Sequence, residues 1–277
     1  MSNKDFQNGF ALGLSSGGVV EVVDTTEIDN LEDLIDDSGV LEDTEGSVTE
    51  KIGELIDKVA YELKSFECIT NASTLFQDAK SFPSKAVVNL PNATTLYQAF
   101  SYWDKTPIPI VEEVIVNAPK VNRIDQMFHE NHGVKKVILN ASDNVNNMAS
   151  IFIQNKRLEE VVLNFSTQNI GIYQRAFWGM FNTIKRIIGV LDFSSATNVS
   201  EMFYYCSHLE EVTFEPNTLS ISISLAQSSK LTAESVQSII DGLKIVETAQ
   251  TLNLNKAIVL TDEQKATINA KGWTLAQ

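Results

Sequence analysis

Phenylalanine returns along this chain at a nearly constant interval, and that recurrence limits the fold more than any other feature. Phe76, Phe100, Phe128, Phe152, Phe177 and Phe203 close the phrases NASTLF, YQAF, IDQMF, ASIF, YQRAF and VSEMF, at intervals of 24, 28, 24, 25 and 26 residues. Each is followed by a short apolar run: VVNL (87–90), VIV (114–116), VIL (137–139), VVL (161–163), GVL (189–191) and VTF (212–214). Runs of three or four β-branched residues suit one short strand per repeat. Ahead of the strands the chain writes apolar, two charges, apolar: VEEV at 111–114, VKKV at 134–137, LEEV at 158–161 and LEEV at 209–212.

A period of this length, with one strand and one other short element, is the signature of a leucine-rich-repeat solenoid. The reading is therefore an α/β solenoid of about six turns with a parallel sheet. Val161 and Leu163 point inward because alternate strand residues share a face. Glu113, Lys136 and Glu160 fall at the bend into successive strands, about 4.8 Å apart, with alternating signs. Asn117, Asn140 and Asn164, with Asp192 in the next repeat, follow the strands. Their expected role is to hydrogen-bond loop backbone groups of their own and adjacent turns. That structural role also accounts for most of the N-x-S/T sequons at Asn71, Asn92, Asn140, Asn164 and Asn198.

The repeat blocks VSEMFYYCSHLEEVTF (199–214), IDQMFHENHGVKKVIL (124–139) and MASIFIQNKRLEEVVL (148–163) resemble the BspA-like leucine-rich repeats of bacterial surface proteins and of phage and prophage proteins. Residues 231–276 are similar to the closing segment of such proteins, so the resemblance covers roughly 70–277. It implies a scaffold for partners, on a virion or a cell surface, rather than any one activity.

A solenoid exposes its core at both ends unless something caps it. The C-terminal cap is expected over 227–277: an amphipathic helix across Leu231–Val246, a strand at Leu252 and Leu254, and a last helix. That helix opens at the capping box Thr261-x-x-Gln264 and ends near Gly272, with Trp273 and Leu275 beyond. The solenoid proper occupies 66–226. Before it, Ser47-x-x-Glu50 opens a capping helix over 47–65, with Ile52, Leu55, Ile56, Val59 and Leu63 on one face. A second amphipathic stretch runs through Ile28, Leu31, Leu34 and Ile35.

Charge is segregated. Residues 1–50 hold thirteen acids and one base, while 51–277 hold 23 acids and 20 bases. The folded body is near neutral and lacks the basic stripe that nucleic-acid binding requires. Composition alone would leave the acidic segment disordered. We expect 1–46 to be an anchoring or oligomerisation segment, held by partner proteins or by copies of the chain, a trimer being one arrangement. No run of 18 apolar residues offers a membrane span, and the start of the sequence does not read as a secretory signal.

Residue patterns that could carry chemistry are sparse. Gly13-Leu14-Ser15-Ser16-Gly17 matches a nucleophile elbow only formally, since no strand, helix, histidine or acid partner frames it. His129 and His132 could begin a metal site, but the third histidine, His208, aligns about 15 Å along the axis. Cys68 and Cys206 are about five turns apart, roughly 24 Å, beyond disulfide reach. No catalytic, cofactor or metal residue is assigned, and no cofactor is expected. The candidate site is instead a surface. Ile115, Ile138, Val162, Val190 and Thr213 alternate with buried neighbours and should face outward; a contiguous apolar strip of this kind marks an interaction surface. The competing reading is that flanking charges cover it, or that strand propensity alone selects these residues. Trp103, Tyr102 and Trp178 lie on the non-strand side and either extend contacts or fill the interior. The expectation for the whole is a non-enzymatic virion structural or adhesion protein, anchored through 1–46 and contacting a host surface protein or glycan. A bacterial cell-surface or secreted adhesin is the alternative.

Overall fold

The computed structural model describes residues 62–63, 69–79, 82–102, 109–180 and 183–277. Among the described residues seven strands form one parallel sheet in chain order: β1 (Glu62–Leu63), β2 (Lys85–Asn89), β3 (Glu113–Ala118), β4 (Lys136–Ala141), β5 (Glu160–Leu163), β6 (Arg186–Leu191) and β7 (Glu211–Phe214). Pairing each strand with the next in sequence, always parallel, makes the chain a parallel β-solenoid. Leu63, read from sequence as the end of a capping helix, instead pairs with Val88 as part of β1. The rest of 47–65 and all of 1–46 lie outside the described residues.

Each strand buries alternate residues. In β3, Val114, Val116 and Ala118 are inside while Glu113, Ile115 and Asn117 are partly exposed. Across the interior the phenylalanines form one column. Phe76, Phe100, Phe128, Phe152, Phe177 and Phe203 stack with centroid spacings of 4.9, 4.9, 5.7, 5.6 and 5.8 Å. Near-parallel rings at these distances exceed simple area burial by about 0.5–1.5 kcal/mol per pair. The column is why the repeat length can vary: a loop absorbs the extra residues and the ring stays in register.

The side opposite the sheet is built from turns, with no helix through Phe214 among the described residues. There, backbone donors alternate between two partners. Met127 N–H and Ile151 N–H donate within their own coil, to Ile124 and Met148. Phe128 N–H and Phe152 N–H donate along the axis, to Ile151 O (2.8 Å) and Ala176 O (3.0 Å). Residues with positive φ sit two before each phenylalanine (Thr74, Gln98, Gln126, Ser150, Arg175, Glu201) and, in most coils, two after it (Asp78, Glu130, Gln154, Gly179, Tyr205). Left-handed residues interrupt a right-handed turn before it can propagate, which frees the alternate donors for the neighbouring coil.

In β6 the register shifts between Ile187 and Val190. Gly189 takes φ +117°, and a Cβ there would stand 2.6 Å from Leu163 O, so the bulge requires glycine. The sheet ends at β7, whose free edge is sealed by α1 (Ala233–Gly242). Ser235 Oγ accepts from Val212 N–H and donates to Glu210 O; Ser238 Oγ accepts from Phe214 N–H and donates to Phe214 O. Two hydroxyls thus satisfy an edge that would otherwise template another chain.

The C-terminal part follows the expected α/β pattern. Strands β8 (Ile223–Leu225), β9 (Gln250–Leu254) and β10 (Trp273–Ala276) pair in parallel, with α1 and α2 (Asp262–Ala270) as the crossovers. Thr261 and Gln264 form the reciprocal capping box, and Gly272 just beyond α2 takes φ +83°. Counting β1 and β8–β10, the solenoid runs past the six turns marked by phenylalanine. The C-terminal turns are packed by other residues (Leu252, Leu254 and Trp273 among them), so the phenylalanine marker misses them.

Candidate binding face

Parallel pairing brings the outward strand residues into one row. Val87, Ile115, Ile138, Val162 and Ile188 are in direct register from β2 to β6, and Val190 pairs with Thr213 across the bulge. Val87, Ile115, Ile138 and Val162 are half-buried by their neighbours, whereas Ile188 and Val190 are 42% and 45% exposed and Thr213 is exposed. All five residues singled out from sequence lie on this face. Val87 and Ile188 belong to it as well. Ile188 and Val190 share this side as alternate residues of one strand do; Ile188 lies outside the apolar run GVL by which this strand is read from sequence.

One flank of the row is a double column of charges. Coil by coil it reads Glu112–Glu113, Lys135–Lys136, Glu159–Glu160, Lys185–Arg186, Glu210–Glu211, so the sign alternates from one coil to the next. Lys136 Nζ lies 3.1 Å from Glu113 and 3.3 Å from Glu160; Arg186 Nε donates to Glu160 at 2.7 Å; Lys185 Nζ reaches Glu159 at 2.9 Å. A hydrogen bond to Glu113 raises the Lys136 pKa. Burial alone would raise that of Glu160, but Arg186 and Lys136 outweigh it and hold the carboxyl low. Arg157 clips three coils together: Nη1 donates to Val111 O (3.1 Å) and Gly133 O (2.8 Å), while Nη2 pairs with Glu112.

The other flank is an amide ladder. Asn117 Nδ2 donates to Asn89 Oδ1 (2.6 Å), Asn140 to Asn117 (2.5 Å) and Asn164 to Asn140 (2.8 Å). Sequence reasoning assigned these side chains to loop backbone; they bond one another along the axis instead. Asp192, which lacks an amide donor, leaves the ladder and accepts from Ser194 N–H. The face is therefore apolar in the middle, self-compensated in charge on one side and amide-lined on the other.

The remaining sequence candidates are scattered. His129 and His132 are adjacent in one turn, and burial lowers the pKa of both. His208 lies with Ser207 elsewhere. Among the described residues no group of three or more His, Cys, Asp or Glu side chains could hold a metal ion. Cys206 is fully buried, with Sγ 3.0 Å from Phe177 O and its pKa pushed up by burial; Cys68 lies outside the described residues. So do the Gly13–Gly17 stretch and Trp103. Tyr102 is buried and donates to Ala79 O. A void of about 10 Å³ lies beside it, lined by Phe76, Phe100 and Val114, with room for one water molecule at most. No helix among the described residues is long and apolar enough to cross a membrane.

These features define a repeat solenoid, and among the described residues its distinguishing chemistry lies on its surfaces. Residues 94–215 match the family described as "Mycoplasma protein of unknown function, DUF285". The match spans Phe100 to Phe203 and, with the solenoid, is compatible with a BspA-like repeat protein. No curated protein and no solved structure matches the chain.

Proposed function

We propose that this is a non-enzymatic attachment protein of the BspA-like leucine-rich-repeat kind, whose outward sheet face docks on a host surface protein or glycan. The observation that supports it is the aliphatic row from Val87 to Val190, set between charges already paired with one another and an amide ladder already hydrogen-bonded. Such a face offers apolar area without requiring a charged partner, and contiguous apolar strips of this kind mark interaction surfaces. The protein is carried on a phage or prophage virion, with the acidic 1–46 segment anchoring it to other virion proteins, in a trimer if it forms a fibre. A bacterial surface or secreted adhesin is the second reading, favoured by a matched family whose description names a bacterial genus.

Two measurements test this. Fluorescently labelled protein should bind intact bacterial cells, and Ile138→Lys with Val162→Lys should abolish that binding without lowering the thermal midpoint. Equal binding by the variant rejects the sheet face. Immunogold labelling should decorate the outside of virions on the first reading or of the producing cell on the second. Label confined to the cell interior contradicts both.

A further inference from the structure

The turn side carries a second surface that the sheet-face reading does not use. Trp178 stacks on Tyr204 of the next coil, with centroids 6.2 Å apart and planes 17° apart; Tyr205 meets Trp178 edge-on at 6.0 Å and Tyr204 at 4.3 Å. Tyr204 and Tyr205 are 42% and 43% exposed, while the phenylalanines one column inward are sealed. Their hydroxyls share a hydrogen bond that raises the pKa of Tyr205.

Two details of the backbone show that the cluster is held in place. Tyr205 has φ +63°, at the left-handed position that Asp78, Glu130 and Gln154 occupy in other coils. A bulky residue there is a genuine outlier, and strain of this kind gathers at functional sites. Its N–H is fixed by Gln227 Oε1 at 2.7 Å. The preceding residue in the same axial column is Gly179, so backbone alone separates Tyr205 from Gln154.

We propose that Trp178, Tyr204 and Tyr205 form a stacking platform for a pyranose ring of a neutral glycan. Indole and phenol faces suit the C–H face of a sugar, while the two phenol hydroxyls and the amides of Gln154 and Gln227 suit its hydroxyls. Charge complementarity points to a neutral ligand, since the ion pair nearest in sequence, Arg175 with Glu201 at 2.6 Å, is internally satisfied. The exposed area of three partly covered rings is roughly 250 Å². That is far below the about 800 Å² per partner of a stable protein interface, and it fits one or two sugar rings.

The inference rests on the attachment reading only for a glycan being within reach, and the two fail separately because their residues lie on opposite sides of the coil. The test is titration of the full chain with neutral hexasaccharides (cello-, malto-, manno- and chitohexaose), followed by tryptophan fluorescence and calorimetry. At least one should bind saturably, and Tyr205→Gly should weaken it about tenfold or more. Tyr205→Gly should also keep or raise the thermal midpoint, since glycine adopts positive φ without strain. Tyr204→Ala, at a position without that strain, should weaken binding likewise. Silence of the whole panel up to about 10 mM, or binding that survives both variants, overturns the proposal. So does a peptide competing for the cluster while all four sugars fail.

Discussion

Phe152→Ala removes a ring that is fully buried and sandwiched between Phe128 at 5.7 Å and Phe177 at 5.6 Å. Truncating a buried phenylalanine costs about 3–5 kcal/mol. This site belongs in the upper half of that range, because both flanking rings are held by axial backbone hydrogen bonds and cannot collapse into the void. Phe152→Leu keeps most of the volume and should cost about 1–1.5 kcal/mol. Urea unfolding followed by far-ultraviolet circular dichroism measures both. A double-mutant cycle adds the discriminating number. Phe152 and Phe177 should couple by about 0.5–1.5 kcal/mol, whereas Phe152 and Phe76, three coils apart, should be additive within about 0.5 kcal/mol. A loss below about 1 kcal/mol for Phe152→Ala, or equal coupling to Phe177 and Phe76, would refute a column of neighbouring rings.

Gly189→Ala should destabilise by about 2 kcal/mol or more, since it adds both left-handed strain and a Cβ at 2.6 Å from Leu163 O; thermal melting checks it. Ser235→Ala leaves Val212 N–H and Glu210 O without their hydroxyl, and should cost about 1–3 kcal/mol in urea unfolding. Burial lowers the pKa of His129 and His132, so below their ordinary 6.5 the unfolded chain binds more protons than the folded one. Stability should hold above that pH, fall from 6.5 downward through the depressed values, and lose this slope in a His129→Gln, His132→Gln variant. Below 4.5 a further loss belongs to carboxylates held low, such as Glu160. A pH profile identical in the two proteins would remove the histidines from this role.

The repeat was legible in sequence because its markers are residues that meet the equivalent position one coil away. The phenylalanines stack, Glu113 meets Lys136 and Lys136 meets Glu160, all at the spacing the sequence implies. Ile115, Ile138 and Val162 face outward for the same reason, the strict alternation of a strand. The bulge at Gly189 was not legible, since GVL alone reads as the end of a regular strand and only the approach of Leu163 O requires the glycine. Nor was the turn side: its residues Gln126, Ser150 and Arg175 carry no preference for positive φ, and axial hydrogen bonds impose it. The sealing of β7 by Ser235 and Ser238 was hidden as well. A serine on a helix face looks like solvent-facing polarity until the strand edge is placed beneath it.

The central claim is that successive coils stack in register along one axis, and a single distance tests it. Lys85 and Glu211 occupy the same position on β2 and β7, five strand spacings of about 4.8 Å apart, or roughly 24 Å between Cα atoms. Spin labels at these two positions, in a Cys68→Ser, Cys206→Ala background, should give one narrow distribution by electron double resonance near that separation. A broad distribution, or a peak far beyond it, would mean that the phenylalanine coils do not share one sheet.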